Sequence, residues 1–299
     1  MKKKIIEEFP FPHNFKINWF PGHMNKTYKL LPEQIKKIDL FLELRDSRIP
    51  LSSGNPEIPK LLTENIKHII LFNKYDICDQ VKTRKIVETN FPGIKTLYST
   101  AKHQQNLKKI IDLLQKEVSL KFKTVGIWCM VGGLPNVGKS TLINNFKQMN
   151  LELREVNKKT AKTEATATTT RHIDFFKVNE NPNIYIMDTP GIIMPKIDNN
   201  DIGLKLSVCG NIKDKIVGKQ MICEYLLYLL NRYDYLEYIK VFKTEEKVTS
   251  LDTLLRIISK EFKITDKNNA CDLILKNFQL GKLGKVTLDN ENSTSLNKL

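Results

Sequence analysis

Several features that would narrow the class of this 299-residue protein are scarce or missing. Its five cysteines are an odd number without a C-x-x-C pair, which argues against a disulfide framework or a zinc site and favours a reducing compartment. No apolar run approaches the ~18 residues of a membrane-spanning helix. Residues 1–18 carry an acidic pair and neither Arg nor Ser, so their composition is a poor match to a transit peptide.

Positive charge, in contrast, is abundant. The chain has 48 Lys and Arg against 33 Asp and Glu, a net charge of +15. An excess of this size suggests a polyanionic partner, with nucleic acid first and an acidic membrane surface second. The plain alternative is a lysine-rich compositional bias.

The sequence is organised around a glycine loop at residues 132–141, GGLPNVGKST. An apolar run precedes it and a segment with helical spacing follows, so strand, loop and helix come in the order of a phosphate-binding loop. Its backbone N–H groups and the helix N-terminus would bind phosphate. Lys139 would reach the β- and γ-phosphates, and Ser140 would offer its hydroxyl to Mg²⁺. The pattern predicts a nucleotide phosphate site.

A second motif, NKYD at residues 73–76, follows a short apolar run that reads as a buried strand. It matches N-K-x-D, in which Asp76 would accept hydrogen bonds from guanine, Asn73 would tie this loop to the phosphate loop, and the Lys74 stem would pack on the base. Residues 98–102, YSTAK, resemble the S-A-K loop of GTPases, in which a backbone N–H contacts the guanine O6. An amphipathic helix at residues 107–118 comes next. A chance match to N-K-x-D alone is the competing interpretation.

The order of these motifs is unusual, because the guanine loop of an ordinary GTPase follows its phosphate loop by ~100 residues. That place holds NRYD at residues 231–234, which has Arg for Lys, follows a helix-like segment and has no S-A-K after it. The upstream motif is therefore the better candidate, and the elements are permuted. New surface connections make such a permutation physically tolerable.

Two further segments complete the pattern. Residues 152–171 are polar, Thr-rich and aperiodic, as in a switch loop, where Thr170 or alternatively Thr169 would close on Mg²⁺. A plain disordered loop is the alternative. DTPG at residues 188–191 follows a strand and would place Asp188 on the Mg²⁺ water shell and the Gly191 N–H at the γ-phosphate. Ile192 stands where many GTPases have a water-positioning Gln.

The C-terminal part is mostly helical in periodicity, at residues 203–208, 216–231, 251–261 and 270–279. Its tyrosines, at helical spacing, are better explained as core than as a base-stacking platform. The polar end, from residue 284 on, is expected to fray. Earlier in the chain, residues 28–44 have helical spacing and end in DLFLEL, which is either the helix end or a following strand, and residues 45–58 read as a loop.

These motifs together resemble the circularly permuted GTPases of the RbgA/YlqF type. Five segments occur in the family order: WFPGHM, DSRIPLSSGNP, NKYD, GLPNVGKSTLIN and DTPGI. The resemblance extends over residues 17–288, and it looks most like the mitochondrial branch of the family in two further segments, GLKLSVCGNIKD and YLLYLLN. The resemblance implies an α/β fold: a P-loop GTPase domain with a mostly parallel sheet flanked by helices, and a small all-helical C-terminal domain. The expected divisions are an N-terminal extension (1–18), the permuted G domain (19–198), a helical RNA-binding domain (199–288) and a polar tail (289–299).

The resemblance adds two residues that chemistry alone does not assign. His23, in F-P-G-H-M, matches a histidine proposed to act in hydrolysis, with a turn-capping role as the alternative. Asn136 matches an Asn associated with K⁺, which could supply the charge of an arginine finger. The family usually has P-G-[IV]-T-R in its switch, whereas residues 167–171 read ATTTR here. This departure puts the switch geometry in question, although Thr170 stays a candidate.

The resulting hypothesis is a GTPase that assembles the large ribosomal subunit, with rRNA as partner and activator, Mg²⁺ and K⁺ as cofactors and slow turnover alone. The expected catalytic residues are His23, Lys139, Thr170 and Gly191. The expected nucleotide-binding residues are Asn73, Lys74, Asp76, Thr100, Ala101, Lys102, Pro135, Asn136, Val137, Gly138, Lys139, Ser140, Thr141, Asp188 and Gly191. We expect a monomer in the mitochondrial matrix, with peripheral inner-membrane contact as an option and plastid or cytosol as alternative locations. A GTP-gated membrane-surface or signalling module is the alternative function.

Overall fold

The computed structural model of the chain describes residues 8–13, 15–17, 31–100, 105–118, 126–158, 175–188, 197 and 199–291. Six strands form one sheet: β1 Leu40–Asp46, β2 Lys67–Asn73, β3 Lys95–Tyr98, β4 Ile127–Gly133, β5 Phe175–Glu180 and β6 Asn183–Asp188. Their spatial order is β3-β2-β1-β4-β6-β5. All pairs are parallel except the β5–β6 hairpin. The predicted mostly parallel sheet is confirmed.

Helices flank the sheet and make up the C-terminal part of the chain. They are α1, helical at residues 31–35, α2 Glu57–Leu61, α3 Gln80–Asn90, α4 Gln105–Glu117, α5 Lys139–Lys158, α6 Asn200–Val208, α7 Asp214–Val217, α8 Lys219–Arg232, α9 Glu237–Phe242, α10 Leu251–Phe262 and α11 Lys267–Gln279. In the part of the chain that the structure describes, none of these helices is long and apolar enough to cross a membrane. The helical C-terminal region matches the expectation, although Gly218, with φ +94°, separates α7 from α8 where a single helix was predicted.

Strand β1 is central to the sheet, and the strand alternative for DLFLEL is the correct one. All seven of its residues are buried, as expected of a parallel strand covered on both faces. Its buried charges are paired: Arg45 donates from Nε to Glu43 Oε1 at 2.9 Å, and His68 Nε2 lies 2.9 Å from Glu43 Oε2. Burial alone would raise the pKa of Glu43, but Arg45 and His68 together lower it to about 2.

Two expectations about loops need correction. The loop predicted at residues 45–58 is shorter, because residues 45–46 end β1 and residues 57–58 begin α2; residues 47–55 lack regular structure but are all buried, including Arg48 and Asn55. Several of their polar groups are satisfied inside the protein, for example by Ser53 Oγ donating to the Ile49 carbonyl at 2.7 Å. In addition, the segment assigned to a switch loop from residue 152 begins as helix, because α5 continues to Lys158.

The core of the C-terminal region includes two of the five tyrosines that periodicity assigned to it, and the other three are partly buried against it. Tyr225 and Tyr238 are fully buried, which confirms the core interpretation for these two rings. The described N-terminal residues pack on the same region: the Phe9 ring centroid lies 5.2 Å from that of Tyr225, and Asn200 Nδ2 donates to the Phe15 carbonyl at 2.7 Å. The N-terminal extension is therefore joined to the C-terminal helices at these residues.

The expectation of a frayed end is wrong for residues 285–290, which we call the C-terminal strap. Leu288 N donates to the Arg48 carbonyl at 2.8 Å, and the buried Asp289 carboxylate accepts hydrogen bonds from Leu51 N and Ser52 N at 2.8 and 2.9 Å. The strap thus returns to the segment after β1. Residues 292–299 of the predicted polar tail lie outside the described residues, and the domain boundaries stay a prediction.

Candidate nucleotide-binding site

The predicted motifs meet at one edge of the sheet. The guanine-loop motif begins at the end of β2, and the phosphate loop begins at the end of β4, with β1 between these two strands. Because parallel strands end at the same edge, loops 60 residues apart in sequence become neighbours there, where ligands of open α/β sheets bind. The permuted order of the motifs along the chain does not prevent this.

The phosphate loop depends on backbone conformations that few residues adopt. Gly133 has φ +137°, and a Cβ there would lie 2.4 Å from the Leu44 carbonyl oxygen on β1. Gly138 has φ +108°, and Asn136 has φ +59°, a left-handed conformation that Asn tolerates better than most side chains. Helix α5 begins at Lys139 immediately after the loop, so that its N-terminus points at the same space.

Two side chains hold the phosphate loop on this side, one from within the loop and one from the guanine loop. Lys139 Nζ donates to the Leu134 carbonyl at 2.6 Å, so the ammonium group lies across its own loop. Asn73 Nδ2 donates to the Val137 carbonyl at 2.7 Å, passing from the end of β2 to the loop after β4. This is the tie between the two loops that the N-K-x-D motif predicts.

The guanine loop lies beside the residues that follow β3. Thr100 Oγ1 donates to Asp76 Oδ1 at 3.2 Å, and Tyr75 N donates to the Ser99 carbonyl at 3.2 Å. Asp76 is therefore oriented by a hydroxyl from the S-A-K-like segment. Lys74 has φ +60° and reaches back to β1, where Nζ contacts Asp46 Oδ2 at 2.8 Å.

Asp46 is the buried charge that anchors this edge of the sheet. It accepts from Arg48 Nη2 at 2.7 Å as well as from Lys74. Burial alone would raise the pKa of this carboxyl, but the Arg48 guanidinium and the Lys74 ammonium hold it well below its usual range. Asp46 therefore stays ionised at neutral pH and fixes the Lys74 stem along the floor of the site.

The two loops enclose a cavity of about 340 Å³. It is lined by Asn73, Lys74, Asp76, Ile77, Thr100, Asn136, Gly138, Lys139, Ser140, Thr141 and Gln279. Nine of these eleven were predicted from the sequence as nucleotide-binding. Ile77 and Gln279 were missed: Ile77 directly follows the NKYD motif, whereas nothing near Gln279 in the sequence distinguishes it.

The C-terminal region closes one side of this site, which the motifs do not indicate. Asn136 Nδ2 donates to the Gly210 carbonyl at 2.6 Å, and Asn211 Nδ2 donates to the Pro135 carbonyl at 2.6 Å. Both contacts come from the turn after α6, and Gln279 comes from the end of α11. The phosphate loop is thus held from both sides, by Asn73 from the sheet and by this turn from the helical region.

Other predicted site residues are placed in part or lie outside the described residues. Asp188 ends β6 in register with Val131 of β4, which brings its backbone to the same edge as the phosphate loop. The remaining predicted residues, all outside the described residues, are His23, Ala101, Lys102, Thr169, Thr170 and Gly191. Their assigned roles stay predictions.

The second NKxD-like segment, NRYD, belongs to a different part of the molecule. Asn231 lies in the last turn of α8, and its Nδ2 donates to the Val248 carbonyl at 2.7 Å. Its Oδ1 accepts from the Tyr238 hydroxyl at 2.8 Å. The segment connects helices, and the upstream NKYD is the one at the cavity.

Two family models match overlapping parts of the chain. The RsgA GTPase model matches residues 58–198, and the 50S ribosome-binding GTPase model matches residues 129–275. The first range contains the guanine-loop motif followed by the phosphate loop, in the permuted order. The second begins within β4, just before the phosphate loop.

Whole-length comparisons agree with these matches. Mitochondrial ribosome-associated GTPase 1 of Xenopus tropicalis is 31% identical over 309 residues, covering 95% of this chain and 98% of that protein. Ribosome biogenesis GTPase A of Bacillus cereus is 32% identical over 295 residues, covering 91% and 93%. Among solved structures, GNP-bound YlqF from T. maritima has the same fold, with a TM-score of 0.60 and 21% identity over 89% of this chain and 99% of that one. The chain therefore belongs to the circularly permuted GTPase family that includes mitochondrial ribosome-associated GTPase 1 and ribosome biogenesis GTPase A.

Proposed function

We propose that this GTPase is an assembly factor for the large ribosomal subunit of mitochondria, binding ribosomal RNA in a nucleotide-dependent manner. The proposal rests on one observation: the guanine loop and the phosphate loop face each other across the same cavity. The relatives that match this chain over nearly their full length are named as ribosome-associated and ribosome-biogenesis GTPases. The net charge of +15 suits a polyanionic partner such as ribosomal RNA.

Within the site, each end of the cavity has a distinct task. Asp76, oriented by Thr100, would accept hydrogen bonds from the N1–H and the exocyclic amine of guanine. At the other end Lys139 would exchange the Leu134 carbonyl for phosphate oxygens, a stronger partner for an ammonium group because it is charged. The loop N–H groups and the N-terminus of α5 would add further positive potential.

Magnesium fits the donor set at this edge. Ser140 lies exposed in the first turn of α5 and offers a hydroxyl, and Asp188, the last residue of β6, would add its carboxylate. Both are oxygen ligands of the kind that Mg²⁺ prefers. When bound, Mg²⁺ would neutralise charge that develops on the β- and γ-phosphate oxygens. Thr170 would add a third ligand from the switch.

Hydrolysis by the isolated protein should be slow. Ile192 cannot orient a water molecule, so we assign that task to His23, with Thr170 and Gly191 acting at the γ-phosphate. We also assign K⁺ to Asn136. Since its Nδ2 donates to the Gly210 carbonyl, its Oδ1 stays the atom with cation-binding chemistry. K⁺ would supply the charge that an arginine finger supplies elsewhere.

The large subunit would act as activator and partner. Only segments that change between the GTP and GDP states, here the regions of Thr170 and of residues 188–192, can alter the affinity for RNA. GTP would favour docking and hydrolysis would favour release. We also propose a matrix location, a monomeric state and, secondarily, peripheral contact with the inner membrane.

The test is GTP hydrolysis by the full chain with and without mitochondrial large subunits, in K⁺ and in Na⁺ buffer. We expect slow turnover alone and stimulation that requires both the subunit and K⁺. Stimulation by the subunit in either salt would remove the role of Asn136 in K⁺ binding. No stimulation, together with co-sedimentation with anionic vesicles but not with subunits across salt concentrations, would overturn the ribosomal proposal.

A further inference from the structure

Gln279, the last residue of α11, lines the nucleotide cavity although it comes from the C-terminal helical region. Its side chain is exposed, and its Nε2 donates to the Val208 carbonyl at 3.4 Å, a long contact. A long, part-buried hydrogen bond of this kind can be exchanged for another partner at little energetic loss. The carboxamide therefore remains able to bind a ligand in the cavity.

The main chain around Gln279 is held firmly at the guanine end of the cavity. Gly281 has φ +74°, and a Cβ there would lie 2.5 Å from Ile77 Cγ2, so glycine permits close packing against the residue after Asp76. Val286 N also donates to the Ile77 carbonyl at 3.3 Å. The end of α11 is thus fixed beside the guanine loop, independently of any ligand.

Gln279 also lies beside Gly210, in the turn that contacts the phosphate loop. Gln279 Nε2 lies 3.1 Å from the position that a Cβ on Gly210 would occupy, and the Gly210 carbonyl accepts the hydrogen bond from Asn136 of the phosphate loop. Gln279 therefore shares the cavity with Ile77 and Asn136, and lies beside residues that contact each of them. In a nucleotide whose base meets Asp76 and whose phosphates meet the loop, the group between them is the ribose.

We propose that Gln279 binds the ribose hydroxyls of the nucleotide through its carboxamide, so that the C-terminal helical region supplies part of the nucleotide site. This inference rests on the guanine-nucleotide site of the proposed function. A carboxamide suits the task because it donates through Nε2 and accepts through Oε1, and a ribose hydroxyl both accepts and donates. A neutral amide does so without adding charge beside the phosphates.

The test compares the affinities of the full chain for GDP and for 2′,3′-dideoxy-GDP, in wild type and in Gln279→Ala. We expect wild type to prefer GDP by about two- to tenfold, the value of one or two neutral hydrogen bonds. We expect Gln279→Ala to bind GDP more weakly by a similar factor and to lose the preference between the two ligands. Asn268→Ala, an exposed amide at the other end of α11, should behave as wild type.

Four outcomes separate the possible failures. Equal ribose preference in wild type and Gln279→Ala would overturn the proposal, as would a wild type with no ribose preference. A variant that loses thermal stability without nucleotide, yet keeps the ribose preference, would show that Gln279 only packs against Gly210 and Val208. A wild type that binds neither ligand would overturn the guanine-nucleotide site itself, which is a different result.

Discussion

At the scale of single residues, the site depends on side chains held by a second group. Asp76 is oriented by the Thr100 hydroxyl, and Lys74 is oriented by the buried Asp46 carboxylate. Asp46 in turn is held in its ionised form by Arg48. Such support keeps a short, charged recognition group in one position, which is a condition for discriminating between bases that differ by one donor.

The first prediction concerns Asp76→Asn. An amide can no longer accept both guanine hydrogen bonds as a charged group, so affinity for GTP should fall roughly ten- to hundredfold. Affinity for XTP should rise above that for GTP, because xanthine offers an oxygen where guanine has its amine. Competition of both nucleotides against a fluorescent GDP analogue measures the change. A variant that still prefers GTP would contradict the role given to Asp76.

At the scale of elements, the close approach of β1 and β4 sets the position of the phosphate loop. Leu44 of β1 is in register with Gly133 at the end of β4. Because Gly133 has no Cβ, the Leu44 carbonyl can lie against it, and the chain turns there into the loop. The first glycine of the motif therefore serves strand packing as well as the turn.

The second prediction follows from this contact. Gly133→Ala would place a Cβ 2.4 Å from the Leu44 carbonyl oxygen at φ +137°, so we expect the free energy of unfolding to fall by about 2–5 kcal/mol, from strain and overpacking together. Urea unfolding without nucleotide measures it. Gly93→Ala is the matched control, since Gly93 has φ +78° but nothing within 4 Å, and should lose only about 1–2 kcal/mol. Equal losses in both variants would contradict the packing argument.

Individual elements were predictable to different degrees. The strand–glycine loop–helix around residues 132–141 and the guanine loop after β2 could be read from the sequence, because local patterns of glycine, polar and apolar residues specify them. The lack of regular structure at residues 47–55 was also predicted correctly from the sequence, but their burial was not. Nothing in the local sequence SRIPLSSGN shows that Asp289, more than 230 residues later, accepts hydrogen bonds from the N–H groups of Leu51 and Ser52.

At the scale of the whole molecule, the C-terminal strap and the turn after α6 join the helical region to the sheet. Asp289 is fully buried and also lies 3.3 Å from Lys205 Nζ, on α6. Burial alone would lower the pKa of Lys205, but Asp289 and Asp201 raise it, so the ammonium stays charged inside the protein. The carboxylate thus connects the segment after β1, the strap and α6.

The third prediction is that Asp289→Ala destabilises the protein strongly. The change leaves the Leu51 and Ser52 N–H groups without their acceptor and removes a buried partner of Lys205, which should cost about 3–5 kcal/mol of unfolding free energy. Chemical denaturation measures the loss. Glu291→Ala, which removes only an exposed ion pair with Lys85, should cost no more than about 1 kcal/mol. A loss in Asp289→Ala as small as that of the control would show that the strap contributes little to stability.

The sequence by itself determined the chemistry at the two ends of the cavity and the permuted order of the loops that supply it. It could do so because phosphate and guanine recognition each depend on a few adjacent residues. Only the tertiary structure decided what lies between them: Gln279 from α11, the contact of Asn136 with Gly210, and the buried strap at Asp289. The two partners in these contacts are separated by 74 to 238 positions along the sequence. A hydrogen bond or close approach at that separation depends on how the whole chain packs, not on any local pattern.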